Sequence, residues 1–317
     1  MTNSEKCFII TAHTLHMGKA AEILFTSQQA VSDNIRRLEK EHGVTLFFRK
    51  PQLALTPEGR ILLKALERIQ IIENNMKNDL QLLHTASQGT LRFGMGSYRV
   101  HDSVVEMLTN FRQLYPDIRV DVMYEDTRRL EELLLRGQLD VIIGFNIINH
   151  EDFDKRSLVH EQPGVMGTDS LLQRYFLPDE LDRFSREGIS VKEFETLPLI
   201  ANYPIGSLWL NYKQTFDKMD IHPHIIASSN DFSKILRLCA ADYGVALCPL
   251  FLSQIIKKVN SSTNRFNPIH IFPFPALGWV NSIDLATHKM ASHSNYLEDF
   301  IQIITTHIAS PRDNFTL

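Results

Sequence analysis

The residues with the clearest chemical use stand in one run, Thr26–Glu41, which reads TSQQAVSDNIRRLEKE. Gln28 and Gln29 bring amides, Ser32 a hydroxyl, and Arg36, Arg37 and Lys40 bring cations. A glutamine amide matches the donor and acceptor pair on an adenine edge in the major groove. Serine reaches a base or a phosphate, and Arg and Lys sit near backbone phosphates. These groups need a helix to carry them. Ala30, Val31, Ile35 and Leu38 supply its apolar stripe at helical spacing. Thr26 or Ser27 serves as the N-cap, and Gln29, three after Thr26, completes a capping box.

An ordinary amphipathic surface helix would share that polar face, so the flanking sequence decides. Lys19–Leu24 is a short helical pattern, and Phe25-Thr26-Ser27 is a turn, which together give a helix-turn-helix outline. Gly43 ends the helix, and Arg49, Lys50 and Leu53–Pro57 read as a small two-stranded wing. A first helix is expected at Phe8–Thr14, with Phe8, Ile9, Ala12 and Leu15 turned inward. Pro57 opens a long helix to about Leu83. In it Leu62, Leu66, Ile69, Glu73, Met76, Leu80 and Leu83 alternate steps of four and three, a heptad seam interrupted at Glu73. A plain amphipathic helix packed on its own domain and a dimer-forming linker both fit. The unbroken length favours the linker, and paired helices would address paired half-sites.

The run KAAEIL…SQQAVSDNIRRLEKEHGVTLFFR…LTPEG resembles the amino-terminal domain of LysR-type transcriptional regulators. FRQLYPDIRVDVMYED, LLRGQLDVIIG and LRLCAADYGVALCP resemble their effector domains. The resemblance implies DNA contacts from Ser27, Gln28, Gln29 and Ser32, and backbone or minor-groove contacts from Arg36 and Arg49. Gln29 stands where proline is usual. Asp33 stands where a polar or basic residue is common, and its repulsion from phosphate keeps it off the contact set. The implied fold is α/β: an N-terminal winged helix-turn-helix at 1–57, a linker helix at 58–87, and a two-lobed Rossmann-like effector domain of periplasmic-binding-protein type at 88–317. Two crossing strands would join lobe I (about 90–162 and 269–317) to lobe II (about 163–268).

Composition agrees with a multidomain soluble chain. It has 317 residues, 44% hydrophobic and 22% charged. No apolar run approaches a membrane span, and Met1–Phe8 lacks the basic and apolar regions of a signal peptide, so a cytoplasmic location is expected. The net charge of −4 divides into +2 over residues 1–84 and −6 over the rest. A domain this mildly basic makes the placement of its cations more telling than their number. Three cysteines do not make a disulfide framework.

After the polar hinge Ala86–Gly89, strands and helices alternate, implying βαβ units and mostly parallel sheets. Strands are expected at Leu91–Gly94, Ile118–Tyr124, Leu139–Gly144, Leu197–Ala201, His224–Ala227, Gly244–Pro249 and Ser282–Thr287. Helices are expected at Val104–Tyr115, Leu130–Arg136, Gly206–Met219, Asp231–Tyr243 and Asn295–Ile308. Val165–Gly188 fits the pattern least. Ligands of such sheets lie at the carboxyl ends of strands. That position selects Ser97, Tyr98, Arg99, Thr127, Phe145, Asn146, Asn202 and Asn230. Ser97 and Thr127 would offer hydroxyls to an anion, and Arg99 a charge-assisted bond to a carboxylate.

Sharper chemistry is missing. Gly94-Met95-Gly96 lacks the third glycine of a dinucleotide fingerprint, and there is no P-loop or nucleophile elbow. His222-Pro223-His224 has no neighbouring ligands, so neither metal nor cofactor is expected. By the resemblance, Cys239 and Cys248 are packed thiols. The sequence therefore predicts a ligand-responsive DNA-binding transcriptional regulator, not an enzyme. Its partners would be double-stranded promoter DNA, a small effector such as a carboxylate, and further copies of the chain in a homodimer or homotetramer. The competing reading is a small-molecule-binding or enzymatic α/β protein whose first domain mediates protein contacts.

Overall fold

The computed structural model describes residues 1–84, 89–96, 102–202, 207–252, 256–257, 260, 267–275, 281–291 and 294–309. Two compact units divide them. Of the described residues, the first takes those within 1–89 with the short segments 135–138 and 288–291, and the second takes the rest.

The first unit opens with helix α1 (Asn3–Thr14), which starts five residues before the apolar pattern does. Thr2 caps it: the Thr2 hydroxyl accepts the Glu5 N–H while the Glu5 carboxylate accepts the Thr2 N–H. Leu15 follows in a left-handed turn (φ 46°) that swings its side chain into solvent, so it does not point inward as expected. Helices α2 (Met17–Ile23) and α3 (Gln28–His42) come next. Ser27 caps α3 through the Ala30 N–H at 3.1 Å. With Ser27 as the cap, position N3 is Ala30, so the capping box expected of Thr26 and Gln29 does not form. Gly43, at φ 65°, closes α3 in the left-handed conformation that glycine adopts without a Cβ penalty. Strands β1 (Phe47–Phe48) and β2 (Ala54–Leu55) pair antiparallel as the wing.

Helix α4 (Pro57–His84) runs 28 residues. Its first turns are part of the small domain, because Leu66 is buried in one core with Phe8, Val31, Ile35, Leu38 and Phe47. The core of the first unit therefore extends past residue 57 into the opening turns of α4. Leu62 also packs on that core, whereas Ile69, Met76 and Leu80 are exposed, together with Ile72. The heptad seam thus splits into a buried start and an open remainder; the Leu83 side chain lies outside the described residues. Ile71 is buried against Gly137, and Asn74 and Asn75 donate to the carbonyls of Gly137 (3.1 Å) and Met290 (2.6 Å).

The second unit holds the two lobes. In the first, β3 (Thr90–Gly96), β4 (Arg119–Glu125) and β5 (Val141–Phe145) are parallel. Strand β12 (Asn281–His288) joins β5 antiparallel, and β6 (Phe153–Glu161) lies beyond it, giving the order β4-β3-β5-β12-β6. Helices α5 (Asp102–Leu114), α6 (Thr127–Leu135) and α12 (Asn295–Ala309) belong to this lobe. Phe300 of α12 sits edge-on to Phe93 and Phe111, 5.2 and 5.0 Å between centroids.

In the second lobe β8 (Pro198–Asn202) and β9 (His224–Ser229) are parallel. Strand β7 (Pro163–Thr168) lies between β10 (Ala246–Pro249) and β11 (Ile269–Pro273), antiparallel to both. A bridge from Leu199 to Val245 links the two groups. This sheet is less parallel than the alternating pattern implies. Moreover, β11 belongs here and not to lobe I, which moves that boundary from 269 to beyond Pro273. The poorly patterned stretch contains β7 and the helices α7 (Asp169–Leu172) and α8 (Pro178–Glu187). Helices α9 (Val191–Glu195), α10 (Ser207–Met219) and α11 (Phe232–Ala240) complete the lobe.

Candidate functional site

A groove of about 550 Å³ opens between the start of α2, the first turns of α3 and the wing. His16, Gly18, Gln28, Ser32, Arg49 and Gln52 line it. Three predicted contact residues (Gln28, Ser32 and Arg49) are therefore brought together from two elements far apart in sequence. The Ser27 hydroxyl is engaged as the α3 cap. Gln29 is exposed beside the groove and donates to Asp33 at 3.0 Å, and Asp33 also pairs with Arg36 at 3.2 Å. Asp33 thus holds Gln29 and Arg36 on one side of the helix.

Arg49 is steered in the same way. Its guanidinium pairs with Glu39 at 3.1 Å, and the other Glu39 oxygen accepts the Leu46 N–H at 3.0 Å. One carboxylate of α3 therefore fixes both the wing's root and its cation. Such exposed pairs are worth about 0–1 kcal/mol, so an arriving phosphate can displace the carboxylate without large cost. The sequence reading missed His16 and Gln52, since neither lies in the recognition helix or at a patterned position.

The strand ends of the effector domain look different. Ser97, Tyr98 and Arg99 lie outside the described residues. Thr127 is buried, and its hydroxyl accepts the Phe145 N–H at 3.1 Å. Phe145 is itself buried. Asn146, at φ 49°, clasps β12: its backbone N–H donates to the Ser282 carbonyl, its side-chain Nδ2 donates to Asn281 Oδ1 at 2.8 Å, and its Oδ1 accepts the Ser282 N–H at 2.9 Å and the Ser282 hydroxyl at 3.3 Å. In the second lobe Asn202 ends β8 half-buried, and Asn230 follows β9 in solvent.

Two carboxylates that the sequence reading passed over hold the backbone beyond Asn146. Glu131 accepts the Ile148 N–H at 2.8 Å, and Asp284 accepts the Ile147 N–H at 3.0 Å. Lys155 donates to the Ile147 carbonyl at 2.9 Å and lies 3.6 Å from Asp284. Burial pushes the Glu131 carboxyl above the usual glutamate range.

Cys239 and Cys248 are fully buried, and burial pushes both thiols far up, leaving almost no reactive thiolate. His222 pairs with Asp220 at 3.2 Å on the surface. Among the described residues no group of three or more His, Cys, Asp or Glu is arranged to hold a metal. No described helix is long and apolar enough to cross a membrane.

The model of the bacterial regulatory helix-turn-helix protein, lysR family, matches residues 3–60, and that of the LysR substrate binding domain matches residues 84–309. The chain belongs to the LysR family. This LysR protein is 25% identical over 300 residues to the HTH-type transcriptional regulator AlsR of Bacillus subtilis (strain 168), covering 93% of this chain and 92% of that one. It is 27% identical over 308 residues to the Hca operon transcriptional activator HcaR of Escherichia coli (strain K12), covering 96% of each. CbnR, a LysR family transcriptional regulator of known structure, shares the fold with a TM-score of 0.57 at 18% identity, covering 97% of this chain and 99% of that one. The LysR protein described here is accordingly a DNA-binding transcriptional regulator with an effector-binding domain, and its relatives are regulators, not enzymes.

Proposed function

We propose that this LysR regulator reads duplex promoter DNA through the groove between α2, α3 and the wing. Gln28 and Gln29 address base edges, while Ser27, Ser32, Arg36 and Arg49 hold the backbone. The convergence of Gln28, Ser32 and Arg49 on one groove carries this reading. CbnR has also been solved in complex with its target DNA. A salt titration tests it. Affinity for a duplex selected from random sequence by the protein should fall linearly on log–log axes as salt rises. Gln29→Ala should keep the fold and lose discrimination against a scrambled duplex; equal discrimination in the variant would remove Gln29 from the interface.

The effector, in the same proposal, is a small carboxylate held at the carboxyl ends of the strands in the two lobes. Ser97, Tyr98, Arg99 and Thr127 would approach it from the first lobe and Asn202 and Asn230 from the second, with Phe145 and Asn146 shaping the wall. Its binding shifts the population between two arrangements of the oligomer. The exposed stripe of Ile69, Ile72, Met76 and Leu80 on α4 supports assembly as a homodimer. The edge strand β4, which exposes Met123 and Tyr124, offers a second surface that would extend the dimer to a tetramer. Action on promoter DNA places the protein in the cytoplasm.

A further inference from the structure

Beside the predicted contacts, the groove holds His16, a titratable side chain that the recognition helix does not supply. His16 caps α2, its Nδ1 accepting the N–H groups of Gly18 (3.0 Å) and Lys19 (3.2 Å). A ring nitrogen that accepts two backbone donors carries no hydrogen, so the neutral ring keeps its proton on Nε2. The backbone leaves His16 little freedom. It is extended (φ −153°) directly after the left-handed Leu15, and its N–H donates to Thr14 Oγ1 at 3.4 Å.

Gly18 shows how near the capping edge of that ring lies to Gln28. A Cβ on Gly18 would stand 2.9 Å from His16 Cε1 and 3.8 Å from Gln28 Oε1. The Nδ1–Cε1 edge of the ring therefore borders the same spot as the head of Gln28, and both residues line the groove that Arg49 also lines. The imidazole is exposed, and among the described residues its hydrogen bonds are those of Nδ1.

We propose that His16 is a DNA-contacting residue: its neutral Nε2–H donates to one backbone phosphate at the mouth of the groove and sets the register in which Gln28 meets a base. The inference rests on the groove being the DNA interface. It differs from a structural cap because the donating atom is opposite the capping atom. It differs from the arginine contacts because a neutral donor displaces no counterion.

His16→Ser separates the two roles, since serine caps a helix well but is too short to reach from the groove wall. The melting temperature should stay at the wild-type value. Binding to the selected duplex and to a scrambled one should weaken by a similar factor, roughly tenfold for a hydrogen bond to a charged partner. The slope of affinity against salt should not change, whereas Arg49→Ala should both weaken binding and flatten that slope. A methylphosphonate scan of the selected duplex gives the sharper readout: one position that weakens the wild type should be silent in His16→Ser. If serine lowers the melting temperature, His16→Asn, an equally good cap, takes its place in the same assays.

Wild-type affinity in the variant overturns the proposal and leaves His16 a cap. A loss confined to the selected duplex also overturns it, because the ring would then read a base. If Arg49→Ala and Gln28→Ala leave binding unchanged too, the interface itself has been misplaced. If those two weaken binding and His16→Ser does not, only the present inference fails.

Discussion

The groove of the DNA-reading unit and the strand ends of the effector domain use similar residues in opposite ways. At the groove, Gln28, Gln29, Arg36 and Arg49 are exposed; Asp33 bonds Gln29 and Arg36 on the surface, and Glu39 pairs with Arg49. At the strand ends, Thr127, Asn146, Glu131 and Asp284 are tied to backbone groups of their own lobe. The difference is one of solvent. A polar group in water can be borrowed by a ligand, while a buried one is already committed to satisfying the fold. An asparagine or threonine at the end of a strand is therefore ambiguous until its burial is known.

The largest test of this contrast is Asn146→Ala. It removes the three side-chain bonds to β12 and places a residue with a Cβ but no amide at φ 49°. A destabilisation of about 2–4 kcal/mol is expected. Chemical denaturation should show the loss in the second unit while the DNA-reading unit keeps its own transition. Little change would mean that Asn146 is held for a ligand instead.

A smaller effect is expected at Asp33. Asp33→Asn leaves Arg36 without its carboxylate and removes a negative charge from the exposed side of α3 that is proposed to meet DNA. Affinity for any duplex should rise a few fold, with a steeper salt dependence and no gain in discrimination. Weaker binding would show that Asp33 is needed to position Gln29.

Glu131 gives the smallest and most specific signal. Burial raises its carboxyl in the folded state, so folding favours the protonated form. Its contribution to stability is full below the ordinary glutamate range and is lost as pH rises through the folded value. Glu131→Gln keeps an oxygen for the Ile148 N–H and removes the titration. The variant should melt higher than wild type at pH 8, and the gap should close below about pH 4. A pH-independent gap would assign the effect to packing.

How much of this was legible beforehand follows from the physics of each element. The recognition helix was, because three buried residues at helical spacing, a hydroxyl cap and a terminal glycine all act locally. The apolar spacing places the start of α1 too far along the chain, because that start depends on the exchange between Thr2 and Glu5. The lobe boundary was misplaced because Ile269–Pro273 is a strand in either lobe as far as its residues show, and only pairing with β7 assigns it. His16 was invisible for a related reason: nothing in a lone histidine announces which ring nitrogen is engaged or what the other faces.

By itself the sequence determined the family, the helix-turn-helix with its wing, the long α4 and the alternation of strands and helices. All of these rest on interactions between residues close in the chain, or on patterns repeated along it. Tertiary structure alone decided that Leu66 belongs to the core of the DNA-reading unit and that Gln28, Ser32 and Arg49 share a groove with His16. It also decided that Thr127 and Asn146 serve their own lobe first. Those facts depend on which surfaces meet and which polar groups lose water when they do, and residue order does not encode that locally.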